Sequence, residues 1–268
     1  MDGGRSEKGF TATLVPVWRR RGAVLLVSLY VLMMWVGFLG LVDLPAGFIG
    51  PGRAHVIDGS YGALTLIIIP AGFLAQVRLG RERVAGVHQV WAAALALTVA
   101  GLLATEYRYL ALAAVVFLGS ILLVGLDINR RRFIHARRNF APAFAVLTAL
   151  AAGPSIGYAL STASNANALA PPRDAETNGF HHWTAATALA ICVVILVGLV
   201  TKRAPGWRVA AFSAAAAGAV WGMSSLLYPS DAGSGGKLWG GLAVIWCTAV
   251  VVAAFSVPRS PDPEGLQP

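Results

Sequence analysis

Three short stretches of the chain hold the side chains best suited to chemistry: Arg53, His55 and Asp58; Glu106 and Arg108; and the adjacent pair His181 and His182. Histidine gains and loses a proton near neutral pH and is a common metal ligand. A glutamate beside an arginine can serve as an acid with a cation next to it. These residues divide naturally into a catalytic set (Glu106, His181, His182) and a substrate-binding set (Arg53, His55, Asp58, Arg108). If the three stretches converge, they surround one concave site, with Glu106 within about 8 Å of His181 or His182, close enough for one water or small ligand to bridge them.

Each feature also has a structural reading. The linker Thr105-Glu106-Tyr107-Arg108-Tyr109 separates two apolar runs so narrowly that both charges must sit near a hydrocarbon boundary. A partly desolvated charge there wants a partner. Glu106 and Arg108 are then either a substrate-facing acid and cation, or an interfacial ion pair flanked by tyrosine anchors. His181 and His182 are either site residues or polar caps at a helix entrance.

Metal and cofactor chemistry lack a pattern. Adjacent histidines point in different directions, unlike the i, i+4 pair of a helical zinc motif. There is no His-x-x-His, His-Glu-x-x-His or Cys-x-x-Cys, and no nucleotide loop or serine elbow. Cys192 and Cys247 both fall inside apolar runs, which argues against a disulfide or a thiolate site. The expectation is a chain with no bound metal and no cofactor.

The elements that must position these residues are membrane helices. Of 268 residues, 57% are hydrophobic and 12% charged, about half the charged share of an average soluble domain. Eight uninterrupted apolar runs follow one another: Gly22–Val42, Tyr61–Val77, Gln89–Thr105, Tyr109–Leu126, Phe140–Leu160, Trp183–Thr201, Val209–Tyr228 and Leu238–Val257. At the rise of an α-helix, runs of 17 residues reach roughly 26 Å, enough to cross hydrocarbon with little tilt. The expected fold is an all-α integral membrane bundle of eight transmembrane helices. Residues 1–21 form a basic cytoplasmic segment, 22–257 a single transmembrane domain, and 258–268 a Pro-rich disordered tail.

Charge placement sets the orientation. With the N-terminus inside, the inner segments hold 17 of the 21 Lys and Arg, and the outer ones only Arg53, Arg108, Arg173 and Lys237. Each short loop contributes separately to this bias. Both termini are therefore expected in the cytoplasm of a cell whose plasma membrane the protein spans, and the candidate site residues face outward. The net charge of +9 is explained by these loops and does not call for nucleic acid. Its basic clusters, Arg130–Arg132 and Arg137–Arg138, suit membrane lipids as partners. The Ala-, Gly-, Val- and Arg-rich composition hints at a GC-rich bacterial genome.

Residues 22–126 and 140–257 repeat one layout: a helix, a long outer loop, a helix, a basic inner loop, a helix, an outer turn and a helix. That admits a parallel four-plus-four arrangement, a repeat type found in transporters. Small residues at four-residue spacing, Gly153/Gly157 and Ala214/Gly218/Gly222, mark places for close helix approach, and the seventh run is expected to be central. No ionisable residue lies near the middle of any run, which disfavours proton pumps and voltage sensors. Three functions remain. One is a carrier of a small molecule or lipid with an outer-face polar site. The second is a membrane-embedded enzyme using Glu106, His181 and His182 on a lipid-soluble substrate. The third is a non-catalytic assembly protein.

Overall fold

The computed structural model describes residues 17–38, 40–49, 54–77, 82–126, 140–168 and 182–257. Residues 1–16, the Pro-rich tail, Arg53, His181 and the Arg130–Arg138 clusters lie outside them, whereas Arg19–Arg21, expected in the basic segment before the first helix, already belong to its first turns. Among the described residues there are nine helices and no strand. Eight are long and apolar enough to cross a membrane. They are α1 (Val17–Gly37), α3 (His55–Val77), α4 (Glu82–Leu103), α5 (Tyr107–Leu126), α6 (Pro142–Ala168), α7 (His182–Val200), α8 (Trp207–Leu227) and α9 (Gly236–Ser256). The ninth, α2 (Gly40–Ala46), is short.

The helices form two rings of four with the same neighbour pattern. In the first, α1 touches α3, α3 touches α4, α4 touches α5, and α5 returns to α1; in the second, α6, α7, α8 and α9 repeat this order. The rings meet along a seam in which α3 and α4 both touch α7 and α8. The seam helices occupy the second and third places of each ring, as a parallel repeat would have them. They are 50–72% buried over their apolar windows, against 11–39% for α1, α5, α6 and α9. Large exposed side chains such as Leu25, Leu150, Ile245 and Phe255 belong to these outer helices. A helix in lipid can leave such residues on its outer face at no cost, because hydrocarbon solvates them as well as a core does.

Two helices of the first ring depart from regular geometry. The last turn of α1 widens to a π-turn at Met33–Gly37, and the chain breaks at Phe38 before α2. Glycines at 37 and 40 flank the break, and Pro45 inside α2 cannot donate to the preceding turn. Within α3, Ala63–Ile68 is also a π-turn, directly ahead of Pro70. Gln89 of α4 donates its amide to the Ile68 carbonyl at 2.7 Å and to Ser213 of α8 at 3.1 Å. A side chain from the next helix thus satisfies backbone in the irregular stretch, as lipid could not.

The long loop expected over 43–60 is mostly helical. Gly40–Ala46 is α2, and α3 starts at His55 rather than Tyr61. Polar His55 and Asp58 lower the hydropathy of that first turn, yet both are paired inside the protein and the helix runs through them. Glycines let α2 lie directly on α3. A Cβ on Gly47 would come 2.6 Å from the Gly59 Cα, and one on Gly62 would collide with Leu44. Likewise α6 continues past Leu160 to Ala168.

The small-residue spacing divides in two. Gly222 of α8 faces the Gly240 carbonyl of α9, where a Cβ would stand 3.0 Å away, and the centrality expected of this helix fits its contacts with α3, α4, α7 and α9. Gly153 and Gly157 have nothing within 4 Å of a built Cβ. The close approach expected there is absent, because they lie on the open face of the least buried span, α6.

Candidate functional site

At one end of the seam, here called the histidine end, α3 and α7 both begin with a histidine. Helices that cross in alternation bring the end of α2, the α4–α5 turn and the α8–α9 turn to the same side.

His55 is buried, with its Nδ1 2.6 Å from Asp231 Oδ2 in the α8–α9 turn. Its ring stacks on Tyr228 at 3.7 Å between centroids and 6° between planes. The Tyr228 hydroxyl donates to the Phe48 carbonyl, and Ser224 donates to the Gly47 carbonyl at 2.8 Å. The end of α2, the start of α3 and the end of α8 are thereby fastened around one imidazole.

One turn along α3, Asp58 accepts a hydrogen bond from His182 Nδ1 at 2.8 Å. The His182 ring stacks on Tyr61 with centroids 4.2 Å apart. Both histidines thus follow one plan: a stacked tyrosine ring and a carboxylate on Nδ1. A carboxylate hydrogen-bonded to Nδ1 fixes the orientation of the ring.

Asp43 of α2 is the third carboxylate. It is only 8% exposed, and its Oδ2 is buried with no hydrogen-bond partner. Burial pushes its carboxyl up from 3.8 to about 6; the charge of His182 pulls it down and that of Asp58 pushes it further up. Since residue 44 lies against Gly62, Asp43 stands at the depth of Tyr61, below the level of His55 and Asp58. Beside the pairs, Ile57, Trp183 and Ala186 form a small apolar cluster, with Tyr158 packed against it.

Glu106 and Arg108 sit together in the α4–α5 turn at 3.9 Å, with Arg108 73% exposed. At that distance and exposure an ion pair contributes little. The turn is a Schellman cap in which Glu106 N–H bonds the Gly101 carbonyl and Thr105 N–H that of Leu102. Thr105 takes the left-handed position, φ 51°, and its hydroxyl donates to Asn167 at the end of α6. Glu106 and Asp231 occupy corresponding turns of the two rings.

Of the residues singled out from sequence, His55, Asp58 and His182 come together across the seam, and Glu106 stands with Arg108. Arg53 and His181 lie outside the described residues. The sequence reading assigned no role to Asp43, Tyr61, Tyr228 or Asp231. Asp231 stands in no motif, and Tyr61 and Tyr228 mark only the ends of apolar runs. Among the described residues, no group of three or more His, Cys, Asp or Glu is disposed to hold a metal.

Comparison with protein-family models, with curated proteins and with solved structures finds no match in any of the three. The chain is a polytopic helical membrane protein on the strength of its own helices.

Proposed function

We propose that the chain is a carrier of a small molecule, with a polar site at the histidine end formed by His55, Asp58 and His182 together with Asp43 and Asp231. The observation that carries this reading is the position of the titratable cluster, at the mouth of a seam between two rings of matching order. Parallel repeats of this kind rock against each other in carriers, and the cargo site lies where they meet. The break between α1 and α2 and the π-turn in α3 support the reading, since irregular backbone in membrane proteins is tolerated where it lines a site. The charge bias supports placing both termini in the cytoplasm and the histidine end outside, in a plasma membrane. Arg108, exposed in the α4–α5 turn, would flank the mouth.

Alternating access tests the reading without knowledge of the cargo. In a background of Cys192→Ala and Cys247→Ala, single cysteines replace Ser60, near the histidine end of α3, or Ser213, near the opposite end of α8. A membrane-impermeant maleimide should reach position 60 only from the outside and position 213 only from the inside, with conditions that raise one rate lowering the other. If neither position labels from its own side, or both label together, the carrier reading fails.

A second reading, an enzyme acting on a lipid-soluble substrate through Glu106, His181 and His182, draws on the Asp58–His182 pair. A carboxylate-held imidazole is the usual form of a general base. The two readings part on whether the compound taken up is chemically altered.

A further inference from the structure

Among the described residues, the seam at the histidine end brings together three aspartates and two imidazoles. Asp58 and Asp231 are each bonded to one histidine. Asp43 is not matched in this way. Its Oδ2 is buried without a hydrogen-bond partner, on a residue more than nine-tenths buried. An ionised carboxylate left like this costs several kcal/mol in a protein interior unless a cation or donor meets it. The protein does not relieve the cost by exposing Asp43. The glycine contacts between α2 and α3 hold it at the depth of Tyr61, beneath the mouth. Tyr61 and Asp58 are near enough to feel its charge.

We infer that Asp43 is the anchor for an ammonium group of the ligand, with Asp58 as the second acceptor and the ring of Tyr61 beside it. An ammonium suits this geometry. It brings three N–H donors, needs no closed shell of three or more protein ligands, and is stabilised next to an aromatic ring. Asp43 and Asp58 together give the inner part of the mouth two carboxylates to share one ammonium. The inference rests on the carrier reading and names the chemistry of its cargo: a primary amine in cationic form, free in water or as the headgroup of an aminolipid.

The test uses the full-length protein in nanodiscs of phosphatidylcholine, titrated with methylammonium chloride. Tryptophan fluorescence and thermal stability are read against equal sodium chloride. Trp183 packs in the small apolar cluster next to His182 and contributes to the optical signal. Expected is a saturable response that weakens along the series methyl-, dimethyl-, trimethyl- and tetramethylammonium as N–H donors are removed. Asp43→Asn should weaken methylammonium binding on the order of tenfold to a hundredfold, the value of one charge-assisted hydrogen bond. Asp43→Glu should restore part of it.

A second arm replaces part of the phosphatidylcholine with phosphatidylethanolamine. A fluorescence change and weaker methylammonium binding there assign the ammonium to a lipid headgroup, whereas unchanged binding assigns it to a free amine. An absent response in wild type, a response equal across the methyl series, or equal binding by Asp43→Asn overturns the inference. The methyl series is measured on wild type, so a misfolded variant does not rescue the idea. Saturable binding with no methylammonium flux in proteoliposomes would leave the inference standing and remove the carrier reading. Flux indifferent to Asp43→Asn would do the reverse.

Discussion

His182 Nδ1 lies 2.8 Å from Asp58 Oδ1, and this hydrogen bond joins the first helix of the seam in one ring to its counterpart in the other. The bond is partly buried and involves a charged acceptor, so it should contribute about 1.5–3 kcal/mol. A double-mutant cycle of Asp58→Asn and His182→Gln, read by thermal unfolding in detergent, should show a coupling above about 1 kcal/mol. Additive losses would mean that the two residues act separately.

Asp43 gives the site a pH signature. Its folded-state value of about 6 exceeds its ordinary 3.8, owing first to burial, with His182 and Asp58 as the neighbouring charges. A carboxyl raised in the folded state lends stability while protonated, below about pH 4, and loses it as pH climbs through about 6. Asp43→Asn should therefore unfold at a higher temperature than the parent above pH 7, by a few degrees. The gap should close as pH falls towards 4. A gap independent of pH across that window would show that Asp43 does not titrate there.

Packing offers a contrast between two glycines that sequence spacing alone treats alike. Gly222→Leu should destabilise the protein by several kcal/mol, because the side chain would be driven into the Gly240 carbonyl and Val244. Gly153→Leu should leave detergent stability within about 0.5 kcal/mol of the parent, since open space surrounds that position. Equal effects would place the α8–α9 contact elsewhere.

Orientation is tested by reporter fusions. Those after residues 50, 170 and 232 should report the outside, and those after 83, 134, 204 and 262 the inside. A cytoplasmic signal at 232 would put Asp231, and with it the histidine end, on the wrong side of the membrane for the proposed mouth.

The eight spans were legible because lipid demands long apolar runs, and four of them, α5, α7, α8 and α9, keep their expected bounds to within two residues. The exceptions are physical. α3 begins six residues earlier than its apolar run because His55 and Asp58 find partners across the seam, which hydropathy cannot register. α2 was hidden because seven residues containing Gly and Pro look like loop until Gly59 and Gly62 are known to receive them. The candidate site was half visible. Residue type and position at helix starts pointed to His55, Asp58 and His182. Asp231 and Asp43 depend on how distant helices meet, and neither stands in a local motif. The spacing of Gly153 and Gly157 misled because a four-residue interval states only that a helix could approach, not that another is there.

The most direct measurement of whether the two rings move as a carrier requires is a pair of spin-label distances taken on one reconstituted protein. One pair replaces Leu103 of α4 and Leu227 of α8, both exposed at the histidine end. The other replaces Leu74 of α3 and Lys202 after α7, both exposed at the opposite end. Rocking about the seam predicts two distance populations at each end, with conditions that lengthen one pair shortening the other. A single distribution at both ends, unchanged by pH and by methylammonium, would contradict the account.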